Sequence, residues 1–147
     1  MRPAHNNPEK GAAIVECALV LPALLLILVV CIDLGLLMRE HQVLQNAARE
    51  GARVACLPVN PAGSQDPATL DQMVKDRVTG YLQGENITVA AGNITVDRQY
   101  SMMVGASTIY TSRVTVNHTR SLLLSGGSLL PIGQVTLHGA AVFRNLY

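Results

Sequence analysis

Gly11-Ala12-Ala13-Ile14-Val15-Glu16-Cys17-Ala18-Leu19-Val20-Leu21-Pro22 opens an apolar run that continues to Met38. A helix needs about 20 apolar residues to cross a bilayer, and this run is longer. Its only charges are Glu16 and Asp33, and none lies between Cys17 and Ile32. Lys10 stands directly before Gly11. Met1 to Lys10 is polar, carries Pro3 and Pro8, and reads as a disordered leader. Pro22 falls inside the run, where it is expected to bend the helix or loosen its hydrogen bonds, as bilayer helices tolerate.

A polar leader, a Lys-Gly junction and an apolar helix with a carboxylate five residues past the glycine together resemble a type IV prepilin signal. Cleavage after Gly11 would make Ala12 the first residue and Glu16 the fifth. Glycine has no side chain to obstruct a peptidase. The cut creates an ammonium at Ala12 and leaves Glu16 near the positive end of the helix dipole. A carboxylate at the bilayer centre costs roughly 2.5 to 3.5 kcal/mol on insertion scales, and less at the interface. Pairing Glu16 with the ammonium of a neighbouring subunit would offset that cost. The plainer reading is an interfacial glutamate with no partner. A secretory signal would end in a small-x-small site soon after its apolar core, and none follows Leu28–Met38. Val30 before Cys31 is a poor fit to a lipoprotein signal.

Arg39 to Ala55 continues as an amphipathic helix, with Leu37, Leu44, Ala48 and Ala55 along one face. Ala47-Gly51-Ala55 and Ala48-Ala52 repeat small residues four apart. Such a stripe admits another backbone closely, or packs this helix on its own sheet. The candidate packing positions are Ala47, Ala48, Gly51 and Ala52. Pro58 and Pro61 end the helix.

Gly11 to Pro22, followed by Gln45-Asn-Ala-Ala-Arg-Glu-Gly-Ala-Arg53, resembles the TadE-like family, the pseudopilins of tight-adherence (Tad, Flp) pilus systems. Where that family usually has an aromatic after the glutamate, this chain has Cys17. The resemblance covers Gly11 to about Arg53. It implies cleavage by a prepilin peptidase and a role in assembling or initiating a pilus. It further implies a major pilin, a sister pseudopilin, the inner-membrane assembly platform and membrane lipid as partners. The positive-inside rule, weighing Arg2 and Lys10 against Arg39, Arg49 and Arg53, favours a cytoplasmic C-terminus. The cleavage motif argues the opposite orientation and is preferred, since in the pilin families processing is cytoplasmic. The alternative is an unprocessed single-pass anchor presenting a small adhesive or receptor-like domain, which needs neither Lys10-Gly11 nor Glu16.

Past the turn-rich Asn60–Asp66, Pro67 suits the first turn of a second helix. Leu70, Met73, Val74, Val78, Tyr81 and Leu82 recur at helical spacing, with Asp71, Lys75 and Asp76 outside, and Gly80 or Gly84 is expected to end it. Asn86-Ile-Thr-Val-Ala and Asn93-Ile-Thr-Val-Asp around Ala91-Gly92 read as a β-hairpin. Ile109–His118 follows as a strand, with Tyr110, Ser112, Val114 and Val116 facing one way. Gln134–Phe143 is the last, with Val135, Leu137, Ala141 and Phe143 inward. The apolar Ser121–Ile132 either caps the sheet, the preferred reading, or contacts membrane or partner.

The expected fold is α+β: a long N-terminal transmembrane helix, a short second helix and an antiparallel sheet of three or four strands. Residues 1–11 form the leader, 12–38 the membrane helix and 39–57 its extension. Residues 58–147 form a small extracytoplasmic domain.

At 147 residues the chain has room for one such domain beside the anchor. Its net charge of +1 argues against nucleic acid. His5, His41, His118 and His138 lack metal-ligand spacing, so no metal or cofactor is expected. There is no nucleophile elbow and no P-loop, and an enzyme is not expected. The Asn-x-Thr triplets at Asn86, Asn93 and Asn117 arise readily in Thr-rich strands. Cys17, Cys31 and Cys56 read as free, the first two as small apolar residues of the membrane helix.

Overall fold

A computed structural model describes residues 8–56, 67–123 and 133–144. The chain is α+β: helix α1 (Pro8–Ala55), helix α2 (Pro67–Gly84), and strands β1 (Ile94–Val104), β2 (Ser107–Ser121) and β3 (Gln134–Arg144). The strands form one antiparallel sheet in the order β1-β2-β3.

α1 is one helix of 48 residues, and it is the spine of the molecule. It continues as helix through Pro22. Pro8, Glu9 and Lys10 are helical too, so the disorder expected of the leader does not extend to them. Proline suits a first helical position, where its missing N–H would have had no intrahelical partner. The expected Arg39–Ala55 extension is thus the second half of α1. Pro58 and Leu57 lie outside the described residues.

The two halves of α1 meet different surroundings. From Gly11 to Ile32 it is exposed throughout, with Val29 half-buried. Among the described side chains of α1, Asp33 is the first that is buried. Beyond it, Val43, Leu44, Ala47, Ala48, Ala52 and Ala55 enter the core. There they meet Val74, Val78 and Leu82 of α2, Ile94 of β1, Val114 and Val116 of β2, and Ala141 of β3. The second half of α1 therefore lies between α2 and the sheet.

Small residues make that position possible. A Cβ on Gly51 would run into the Val78 side chain, crowd Val114 and touch Val74. Gly51 thus marks where α2 and β2 converge on α1. On β3, a Cβ on Gly139 would overlap the Leu44 backbone carbonyl.

α2 ends through Asn86. Its φ is +60°, in the left-handed region where Asn is tolerated better than most residues. Asn86 N–H donates to the Gln83 carbonyl at 3.1 Å, and Ile87 N–H to that of Leu82 at 2.9 Å. This is a Schellman cap with buried Ile87 as its hydrophobic member. Gly84 is the last helical residue, but the stop is made by Asn86.

That cap overturns the hairpin expected around Ala91-Gly92. Asn86 is committed to the helix end, and Ile87 and Val89 are buried in the core without being in a strand. Ala91–Asn93 is a single 3₁₀ turn leading into β1. The actual hairpin joins β1 to β2 at Gly105-Ala106, flanked by the pair Val104 and Ser107. Gly105 has φ +64°, and glycine at the first central position is what a two-residue II′ turn prefers.

β1 also carries a bulge. Asp97 pairs with Arg113 and Tyr100 with Thr111, so Arg98 and Gln99 face Ser112 alone. Gln99 N–H donates to the Asp97 carboxylate at 3.0 Å, closing the bulge locally. The extra residue inverts which face later side chains occupy. Tyr100 consequently lies on the outer face, its ring 5.1 Å from the Arg113 guanidinium. On the helix side, Val114 and Val116 are fully buried, as the alternation of β2 predicts. Tyr110 and Phe143 share that face but are exposed, because Ser112 is already level with the end of α1.

Candidate functional site

The Gly11–Ala12 peptide bond lies within α1, three residues past its start, and both residues are exposed. A Cβ on Gly11 would meet nothing within 4 Å. The fold itself therefore does not require glycine at this position.

Glu16 is exposed on the same helix. In the intact chain it lies about two turns inside α1, where the dipole of the helix start has largely faded. A cut after Gly11 would bring it within about one turn of the new end. Glu16 borders a shallow groove of about 380 Å³, lined by Ala13, Cys17, Val20, Leu21 and Leu24 as well. These residues are spaced three and four apart, so they form one stripe. Ala13 and Cys17 are shorter than their neighbours and make its hollow. Large apolar side chains surround it, including Ile14 at 69 % and Leu19 at 78 % exposure.

The stripe Ala47, Ala48, Gly51 and Ala52 lies elsewhere and has its partners already. All four are buried in the chain's own core, beneath α2 and the sheet. Their small size here accommodates intramolecular packing. The two groups do not converge: Glu16 is in the exposed half of α1, the alanines in the buried half.

Among the described residues, Asp33, Glu40 and Ala55 tie α1 to β2 or to Leu123 just past it, and sequence reasoning missed these ties. Leu123 N–H, just past β2, donates to both carboxylate oxygens of Asp33, at 3.1 and 3.0 Å. Arg120 pairs with Glu40. The Ser112 hydroxyl donates to the Ala55 carbonyl at 3.4 Å. Asp33 carried a signal for the first: a carboxylate in an apolar helix must find a partner. The other two had none, since they depend on how β2 is laid along α1.

Further ion pairs fasten α2. Arg77 binds Glu50 of α1 through Nε at 3.1 Å and Nη2 at 2.6 Å. Those hydrogen bonds hold the Glu50 carboxyl below the usual glutamate range, against partial desolvation that raises it. Arg39 meets Glu85 at 3.2 Å, and Arg98 of β1 meets Asp71 at 2.9 Å.

Cys17, Cys31 and Cys56 are free thiols. Among the described residues, no cluster of three or more His, Cys, Asp and Glu could hold a metal ion. From Leu124 onward, the Ser121–Ile132 segment expected to cap the sheet lies outside the described residues.

The architecture defines a class: an α+β domain built on the second half of a helix whose first half is long and apolar enough to cross a membrane. Residues 11–53 match the model of a family described as TadE-like protein, and over that segment the chain is similar to that family. The match spans the exposed half of α1 and most of its buried half. No curated protein and no solved structure matches the chain.

Proposed function

We propose that this chain is a pseudopilin, or minor pilin, that takes part in assembling or initiating a Tad-type pilus. A prepilin peptidase removes residues 1–11. The mature protein sits in the bacterial inner membrane as a single-pass subunit, with its α+β domain outside the cytoplasm. Its partners are the major pilin, a sister pseudopilin and the membrane assembly platform. The observation that carries the reading is the TadE-like match over residues 11–53, which begins at the Gly11 junction. Two features of the chain support it. Gly11 answers no packing need of the fold, and Glu16 stands exposed beside an unfilled apolar groove.

In this reading α1 supplies both contacts of the subunit. Its first half meets lipid before assembly and neighbouring helices afterwards. Its second half is sealed in the domain and carries it. Glu16 sets the axial register by pairing with the Ala12 ammonium of a neighbour, within hydrocarbon where an unpaired charge is costly.

The test is mass spectrometry of the membrane-extracted protein from cells with and without the peptidase. The expected result is an N-terminus at Ala12 only where the peptidase is present. An intact Met1 in both strains would favour the unprocessed anchor.

A further inference from the structure

The exposed apolar surface of α1 does not stop where the domain begins. From Ala12 to Ile32 the helix rises roughly 32 Å at 1.5 Å per residue, close to the hydrocarbon thickness of about 30 Å. Past Asp33, Leu34 and Met38 are still 54 % and 57 % exposed. Arg39 is the first basic residue after the leader, and Glu40, His41 and Gln42 follow it. The helix thus leaves an apolar environment between Asp33 and Arg39.

The domain reaches that same level. The ties Ala55–Ser112, Glu40–Arg120 and Asp33–Leu123 lay β2 antiparallel to α1. The spacings agree: Glu40 to Ala55 is about 23 Å of helix, and Ser112 to Arg120 about 26 Å of strand. The end of β2 is therefore the end nearest the anchor, and the Gly105 turn is far from it, roughly 45 Å along the strand. Leu123 is fixed by its backbone at the height of Asp33, with its side chain 58 % exposed.

We propose that this end of the sheet is a second lipid contact. Leu123, with half-buried Leu122 beside it, inserts into the edge of the bilayer leaflet from which α1 emerges. The domain rests on the membrane instead of standing off it. Continuity with the anchor identifies the occupant. Leu34 and Met38 on α1 and Leu123 beside it present exposed apolar side chains over the same few ångströms of height. Bilayer lipid is the apolar phase that reaches all three. The inference rests on the reading of α1 as a membrane span.

The protein contains no tryptophan, which makes depth measurable one position at a time. The full chain is reconstituted in phosphatidylcholine vesicles with brominated acyl chains, carrying L24W, L123W or Y110W singly. L24W reports the span, L123W the proposed contact and Y110W the far end of the sheet. Fluorescence of L123W is expected to be blue-shifted and quenched at least half as strongly as that of L24W, with Y110W unquenched. Strong quenching of L24W with L123W matching Y110W would overturn the inference and leave the span standing. So would L123W that is blue-shifted but unquenched, since protein would then be covering the site. An unquenched L24W would overturn the membrane span and the inference with it.

Discussion

Gly51 of α1 lies directly under Val78 of α2, with no room for even a methyl group between them. Val74 and Val114 close the same point from either side. Gly51→Ala should therefore destabilise the domain, although alanine is the better helix former by about 1 kcal/mol. Inserting a methyl group into a packed core costs about 1 to 3 kcal/mol, so overpacking should win or at least cancel the propensity gain. Adding Val78→Ala should recover part of the loss. Chemical denaturation in detergent would measure both. A Gly51→Ala protein more stable than wild type would mean that α1 and α2 can separate freely.

Glu50 and Arg77 make stability depend on acid. The folded pKa of Glu50 is lowered by Arg77. Its contribution is full above the unfolded value of about 4.3 and is lost as pH falls through the lower folded value. Arg77→Met should flatten that part of the acid limb and change little at neutral pH, because exposed pairs contribute about 0 to 1 kcal/mol. Thermal unfolding from pH 6 down to pH 3 would reveal a parallel loss in both proteins if the pair did not matter.

Asn86 should tolerate glycine and little else. A left-handed residue with a Cβ costs about 1 to 2 kcal/mol, and Asn is among the few that adopt the conformation routinely. Asn86→Ala is expected to lose on the order of 1 kcal/mol, and Asn86→Gly to be neutral or slightly stabilising. Equal stability of the two variants would show that the Schellman cap is not formed in solution.

Glu16→Gln should be cleaved nearly normally yet yield few pili. In the proposed function the peptidase needs Gly11 and access, whereas the carboxylate acts once the Ala12 ammonium exists. Leaving one member of a buried ion pair unpaired costs about 3 to 5 kcal/mol, and headgroups and water should lower that. Even about 1.4 kcal/mol is tenfold in an association constant. Glu16→Asp, with charge but shorter reach, should be intermediate. Pilus counts by electron microscopy, with an immunoblot for processed protein, would decide. Normal piliation by Glu16→Gln would return Glu16 to an interfacial charge without a partner.

The sequence carried the fold wherever periodicity met burial on one face. α1 announced itself through unbroken apolar length, α2 through Val74, Val78 and Leu82, and β2 through Val114 and Val116. It failed where one residue's backbone outweighed a pattern. Asn86 begins an Ile-Thr-Val run that looks like a strand, but its left-handed conformation assigns it to the end of α2. The bulge at Arg98 and Gln99 left no periodic trace, because it breaks the alternation by which a strand is read. At the candidate site, Gly11 and Glu16 were singled out by their spacing. The partners of Asp33 and Glu40 were not, since Leu123 and Arg120 are 90 and 80 residues away in the chain.

Because α1 is one continuous helix from Glu16 to Asp33, its exposed half and the domain share one rotational phase. Each residue turns the helix by about 100°, so these two carboxylates lie about 100° apart around its axis. A neighbour that docks at Glu16 thereby fixes the compass bearing of the sheet around the bundle. Deleting one residue between Val20 and Ile32 would swing the domain by about 100° while moving it only about 1.5 Å along the axis. The subunit is in this sense a key whose bit and bow are cut from one rod, and its angular setting is written into the number of residues between them.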